Sequence, residues 1–202
     1  SDGFMANARV SGAPVKLKGT RIFQAKDGAE TIEKTMKGKW DGTLWSASGS
    51  LAYDVVSKGG LSLRPMVAVD YFKLKEDGYQ ESGGGAALDL KVLERNSDEL
   101  AVSGTVALGL DFGGLDQYDG WTRFEIEGGR RQIVGGSLGA TTASFKDGTP
   151  FTLVPEDRTS GWVGRLRGIA GNSAFQVAGE VSAEEQQSHF GWAFRASLRV
   201  GL

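Results

Sequence analysis

The chain has 202 residues and a net charge of -2, enough length for one large domain and no global field that would draw nucleic acid. With 31 glycines, 4 prolines and no cysteine, it excludes a disulfide scaffold, a thiolate metal site and cysteine catalysis. No apolar run approaches the roughly 18 residues of a membrane helix, which excludes a helical membrane protein but leaves a β-barrel open, because barrel strands show only alternate residues to lipid.

The N-terminal stretch reads as a strand from Gly3-Phe4-Met5 onward, with Gly19-Thr20-Arg21 following a hairpin. Residues 24–39 read as a long connection, in which 29–36 suits a helical turn or two. Then alternation sets in, the mark of strands with one apolar face. Trp45, Ala47, Gly49, Leu51, Tyr53 and Val55 oppose Ser46, Ser48, Ser50 and Asp54. After a short turn at 57–60, Leu61, Leu63, Val67, Val69 and Tyr71 oppose Ser62, Arg64, Ala68 and Asp70. Pro65 cannot donate to a ladder and marks a strand start or a bulge near a rim. Residues 75–82 read as a longer connection, and 83–98 as a loop hairpin with 86–93 pairing near Glu99, a spanning strand being the alternative for that stretch.

Further on, Val102, Gly104, Val106, Leu108 and Leu110 oppose Ser103, Thr105, Ala107 and Asp111, and Phe124 and Ile126 oppose Arg123, Glu125 and Glu127. Residues 131–158 read as the longest connection, with 151–154 extending a hairpin after the Asp147-Gly148 turn. Trp162, Gly164 and Leu166 oppose Arg165 and Arg167, a short turn follows at 171–173, and Phe175, Val177 and Val181 oppose Gln176, Glu180 and Glu184. The last strand, 189–202, is the clearest: Phe190, Trp192, Phe194, Ala196, Leu198 and Val200 on one face, His189, Arg195, Ser197 and Arg199 on the other.

These strands run to about 9–14 residues, where a soluble strand has about 5–6 and a tilted membrane strand needs about 9–11. Short turns alternate with long connections, as in barrels with short periplasmic turns and longer outer loops. The last strand then runs from the outer leaflet at His189 to the periplasm at Leu202. The expected fold is all-β, an antiparallel transmembrane up-and-down barrel of about nine spanning strands, residues 1–202 forming a single domain. Its lumen would be lined by Arg123, Glu125, Glu127, Arg165, Arg167, Glu180 and Arg195. Its lipid face would carry Phe124, Leu166, Val177, Trp192, Phe194 and Leu198. Trp45, Tyr53, Tyr71, Phe124, Trp162, Phe175, Phe190 and Trp192, mostly near strand ends, suit interfacial aromatic girdles, with Trp121 an exception because it shares a face with Arg123.

Motifs with chemical meaning are few. Gly135-Gly136-Ser137-Leu138-Gly139 matches a hydrolase nucleophile elbow, but Ala140-Thr141-Thr142-Ala143 after it reads as strand or loop where the elbow needs a helix. His189 alone makes no metal site. Asp111, Asp116 and Asp119 lack the pattern of a Ca2+ loop. Glu184 and Glu185 are adjacent strand residues and point apart. No cofactor, metal or catalytic residue is expected.

The ordered landmarks together resemble the C-terminal β-domain of autotransporters, the translocator of type V secretion. They are the Trp45 strand, Leu61-Ser62-Leu63-Arg64-Pro65, Gln80-Glu81-Ser82-Gly83-Gly84, the 100–112 strand with Gly104, the 121–128 strand, Phe145-Lys146-Asp147-Gly148 and the closing hairpin. The resemblance implies an outer-membrane anchor and pore of a Gram-negative cell for export and display of an N-terminal passenger, without enzymatic activity. It implies membrane lipid, lipopolysaccharide, a passenger segment in the lumen and the barrel-assembly machinery as partners, with no nucleic acid. The family barrel has about twelve strands, so about three N-terminal strands and a pore-plugging helix are expected to be missing here. The Leu202 end, where the family usually has an aromatic residue, suggests one or two more lost. Two other readings stay open: an outer-membrane pore or structural barrel without passenger, and a soluble β-sandwich, adhesin-like binding module.

Overall fold

The computed structural model describes residues 3–28, 30–58, 60–113 and 120–201. These residues form thirteen strands and no helix. They are β1 (Phe4–Asp27), β2 (Glu30–Tyr53), β3 (Val56–Lys58), β4 (Leu61–Glu76), β5 (Tyr79–Gln80), β6 (Leu90–Val92), β7 (Arg95–Phe112), β8 (Trp121–Gly135), β9 (Thr141–Phe145), β10 (Phe151–Leu153), β11 (Gly161–Gly171), β12 (Phe175–Gln186) and β13 (His189–Val200).

Nine of them make one antiparallel up-and-down sheet in the order β1-β2-β4-β7-β8-β11-β12-β13, with β3 beside β4. The sheet curls into a half-barrel whose edges, among the described residues, are β1 and β13. β3 continues the line of β2 after a break at Asp54 and Val55, which lies opposite Arg64 and Pro65 of β4. A proline has no N–H to give the neighbouring strand, so the ladder parts where the sequence puts it. At one end the turns are short. The Gly171–Phe175 turn is held by Asn172, whose side-chain oxygen accepts from the amides of Ala174 and Phe175 at 2.9 and 3.0 Å.

The other end carries an extension. β1 and β2 pair along their whole length, from Phe4↔Tyr53 to Asp27↔Glu30, whereas β4 covers β2 only from Gly42 to Ala52. About twelve residue pairs therefore rise beyond the sheet, roughly 40 Å of ribbon. The remaining strands form a small second sheet, β10-β9-β6-β5, at this same end. A bridge between Lys37 and Ser82 ties the ribbon to it.

Three expectations are corrected here. Residues 24–39 are not a connection and 30–36 are not helical: both stretches are strand, because the Gly28 turn, at φ +64°, lets the chain fold back at once and every following residue finds a cross-strand partner. Ala29 lies outside the described residues. Residues 90–92 pair with β5 and β9 rather than near Glu99, and Glu99 itself belongs to β7, opposite Phe72. The 131–158 connection is largely strand: β8 runs on to Gly135, and β9 and β10 follow, with Phe151 paired to Ala143 as the hairpin reading expects.

Burial is inverted relative to a water-soluble fold. Buried side chains include Glu76, Glu81, Glu99, Thr105, Glu125 and Glu127, against a short apolar set of Met36, Ala52, Val92, Ala101, Ala107 and Ala143. Large apolar side chains such as Ile126, Leu166, Phe194 and Leu198 are exposed. No second layer covers that apolar face among the described residues, so a sandwich with a dry core between two sheets is not this fold.

Candidate functional site

Residues paired across an antiparallel ladder share a face, and register therefore sorts the side chains of the sheet into two sets. One set encloses a hollow of about 920 Å³, walled by residues of β2, β4, β7, β8, β11 and β12, among them Ser50, Asp70, Glu99, Glu127, Arg165 and Glu184. The polar set therefore lies on the inner, concave side.

All seven polar residues singled out in the sequence meet on that side, and the register explains how. Glu125, Arg167, Glu180 and Arg195 stand opposite one another in a single row across β8, β11, β12 and β13. Charges alternate along the row, the arrangement that favours cross-strand pairs. Arg167 donates to Glu180 through Nε and Nη2 at 2.9 and 2.7 Å, and to Glu125 at 3.3 Å. Arg195 lies 3.7 Å from Glu180 and is mostly exposed. One row up, Arg165 donates to Glu127 at 2.8 Å. Arg123 donates to both oxygens of Asp111, to Ser62 at 2.7 Å and to Glu125 at 3.3 Å. Its guanidinium occupies the space above Gly109, where a Cβ would come within 2.5 Å of Nη2. Only glycine at 109 leaves Arg123 that berth.

Glu125 is the hub, buried to 6% exposure and accepting from Arg64, Arg123 and Arg167 on three strands. Burial of a carboxylate is tolerated here because it is fully paired. Sequence reading placed Arg64 on the polar face but gave it no partner; it bridges Asp54 and Glu125. Glu99 was missed. It binds Arg131 and, at 2.7 Å, Arg158, and Arg131 reaches Glu184 at 3.3 Å. The signal was present: Glu99 continues the odd-numbered alternation of Ala101, Ser103 and Thr105.

The six apolar candidates lie on the opposite face. Phe124, Leu166, Val177, Trp192, Phe194 and Leu198 are 47–79% exposed. Leu166 stands between Ile126 and Val181, and Val177 opposite Leu198. In the edge strand β13 both faces are exposed, so Trp192, Phe194 and Leu198 are assigned by register. Tyr53, Trp162, Phe175 and Phe190 are exposed near strand ends, whereas Trp45, exposed, and Tyr71, half-buried, lie inside β2 and β4, which run on beyond them. Arg130 lies over the Trp162 ring at 5.6 Å from its centroid. Trp121, on the polar side, is half-buried.

Where the extension joins the sheet, a second cluster closes over the hollow. Glu76 accepts from Trp40 Nε1 at 3.0 Å and from both ends of the Arg95 guanidinium. Arg95 also donates to Thr141, and Trp40 stacks on Tyr79 at 4.2 Å between centroids. Burial alone would raise the Glu76 carboxyl, but the bonds from Arg95 and Trp40 and the Arg95 charge hold it below the usual carboxylate value. Burial, then the neighbouring Glu81, pushes the Tyr79 phenol above its ordinary value.

Ser137 sits in a loop whose carbonyl accepts from Asp98, and β9 follows it rather than a helix, so the elbow geometry is absent there. Of the three aspartates weighed as a Ca2+ loop, Asp111 pairs with Arg123, and Asp116 and Asp119 fall outside the described residues. Glu184 and Glu185 diverge, one to Arg131 and the other to the Trp162 amide.

Among characterised proteins, the chain is similar to Esterase EstA of Pseudomonas aeruginosa, 37% identical over 84 residues that make up 39% of this chain and 13% of that protein. Esterase EstA of Pseudomonas putida matches to the same extent. An uncharacterised protein of the trpE-trpG intergenic region of Pseudomonas putida is 35% identical over 72 residues, 35% of this chain and 12% of that one. The chain thus covers only a small part of the length of these relatives. The family model of the autotransporter beta-domain matches residues 1–182. On that match, and with an all-β sheet that is polar inside and apolar outside, the chain belongs to the autotransporter β-domain family and is an outer-membrane translocator domain.

Proposed function

We propose that residues 1–202 act as one barrel domain that anchors the protein in the outer membrane and lets an N-terminal passenger cross to the cell surface through its lumen. The single observation that carries this reading is the hollow walled by paired Arg and Glu side chains behind a continuous apolar face. A polypeptide crossing the membrane needs water and polar partners for its backbone, and burying it without them costs several kcal/mol per group. Arg123, Glu125, Glu127, Arg165, Arg167, Glu180 and Arg195 would supply that wet, charge-balanced wall. Phe124, Leu166, Val177, Trp192, Phe194 and Leu198 would face lipid. In lipid an open sheet edge is not tolerated, so β1 and β13 must both be paired when the barrel is inserted. Short turns at one end and the extension at the other support an orientation with the extension outside the cell.

The role asks no catalysis of this domain. The esterase named for its relatives belongs to proteins of which the matched stretch is a small part, and it is not carried over. Lipopolysaccharide and the barrel-assembly machinery are the partners such a barrel would meet in place. The test is surface display in cells making the full-length protein. The domain should fractionate with the outer membrane, shift in gel mobility on heating, and leave its passenger open to protease on intact cells. A folded barrel whose passenger stays protected would leave a pore without export, and a soluble product throughout would end the proposal.

A further inference from the structure

Arginine and lysine are divided between regions of this molecule. Among the described residues the ion pairs all use arginine as the cation. Lysines gather instead on the outward face of β1, β2 and β4, just beyond the exposed Trp45. Lys73 is opposite Trp45, and Lys75 is opposite Thr43 two residues further along. Lys16 is opposite Asp41, Lys18 opposite Lys39, and Lys37 opposite Thr20. Even-numbered residues of β1 and odd-numbered residues of β2 and β4 share the face that holds Leu51, Val67 and Val69 lower down, so all six lysines continue the apolar face upward. All six are exposed. The carboxylates in register with them are Asp41 and Asp98, the latter opposite Lys73.

Two features argue against a merely solvated rim. Lys18 and Lys39 stand directly opposite each other, a like-charge pair that weakens a ladder. The patch also begins at the level of the aromatic residues and rises about eight residues along the strand, roughly 27 Å of contour and about 20 Å of height at a barrel tilt of about 40°. That is the depth of a headgroup layer and the ground just above it.

We infer that this face is a binding surface for phosphorylated lipid headgroups of the outer leaflet. The inference rests on the proposed orientation, with the extension outside. Lysine suits it: a hydrated point charge on a long stem whose methylenes lie along apolar surface while the ammonium reaches phosphate. Bound phosphate would also relieve the Lys18–Lys39 repulsion, which gives the idea two readouts of opposite sign.

The test uses full-length protein folded in neutral detergent, titrated with a diphosphorylated glucosamine lipid and with its dephosphorylated form, and followed by tryptophan fluorescence and native mass spectrometry. The phosphorylated lipid should bind at least about tenfold tighter. K18Q/K39Q should weaken it about 30-fold, since each surface lysine contributes about fivefold, yet should raise the melting temperature in neutral detergent. K73Q/K75Q should weaken binding comparably without that rise. K91Q/K146Q, which removes two lysines from β6 and the β9–β10 turn, should change neither. Equal binding of the dephosphorylated lipid, equal loss in K91Q/K146Q, or binding of a soluble polyanion that matches the lipid would each overturn the inference. Loss of passenger display with lipid binding intact would count against the translocator reading alone.

Discussion

The spanning sheet and the extension are built from the same ribbon, β1 and β2, yet they obey opposite rules. Along the sheet the large buried side chains include Glu125, Glu127 and Glu99, beside alanines such as Ala101 and Ala107, and the exposed ones include Ile126, Leu166 and Phe194. In the extension the order returns to that of a water-soluble protein: Met36 is fully buried, Val92 and Ala143 are nearly so, and Lys18, Lys37 and Lys39 are exposed. Under the proposed function the chemistry of the chain is the same in both and the solvent differs: apolar surface would be hidden from water by lipid along the sheet, and is hidden by protein in the extension.

Arginine placed on the apolar face would probe that difference most strongly. Leu166→Arg, between Ile126 and Val181, should cost about 3 kcal/mol if it meets the bilayer near its midplane. It should show as lost heat-modifiable mobility and a reduced outer-membrane fraction. The same change at Ile22, equally exposed but in the extension, should stay within about 0.5 kcal/mol. If the two variants assemble alike, the apolar face does not meet lipid. Met36→Ala makes the converse case. Met36 packs against Gly84 beneath residues 79–89, and its truncation should cost about 2–3 kcal/mol of the extension's own stability. Proteolysis should then cut the ribbon while membrane insertion stays unchanged. Loss of insertion would show that extension and sheet fold as one unit.

Legibility followed the same boundary. In the sheet, one face is polar and the other apolar, which imposes a strict alternation, and Phe124 to Glu127 or 189–200 can be read straight from it. In the extension neither face is uniformly apolar, as in Glu30-Thr31-Ile32-Glu33-Lys34-Thr35-Met36, and the pattern suits a loop or a helix as well as a strand. What makes it strand is long-range: Arg21 reaches Glu81 and the carbonyl of Leu88, and Gly83 and Gly84 lie against Thr35 and Met36. No window of sequence contains both partners. The ion-pair row was legible by type but not by register, which fixes Arg167 between Glu125 and Glu180. Glu99 is missed because the alternation is clear only from residue 100 onward, whereas β7 begins five residues earlier, at Arg95.

The polar wall can be tested within the sheet. Glu125→Gln keeps the shape of the hub and removes the charge shared by Arg64, Arg123 and Arg167. A fully buried pair broken in this way costs about 3–5 kcal/mol, but these arginines are partly exposed to the hollow, so about 1–2 kcal/mol is expected. The change should appear as a lower unfolding midpoint in denaturant. A Glu127→Gln variant, which relieves only Arg165, should lose less. Equal losses would mean that the row is a set of separate pairs rather than a network around Glu125.

The smallest effect lies at the seam between the two regions and depends on pH. Glu76 is held below the usual carboxylate value in the folded protein, so its bonds to Arg95 and Trp40 favour the fold at any pH above about 4.3. Below that, the unfolded chain takes up a proton before the folded one does, and the contribution falls away until the folded carboxyl is itself protonated. Native protein should therefore lose stability at the seam as the pH falls below about 4.3, read as growing protease sensitivity near Asp77 and Tyr79. Glu76→Gln cannot take up that proton, so its sensitivity should already be raised at pH 7 and should change less across the same window. If native and variant show the same slope, the acid response belongs to other carboxylates, and the seam is held by the Trp40–Tyr79 stack rather than by charge.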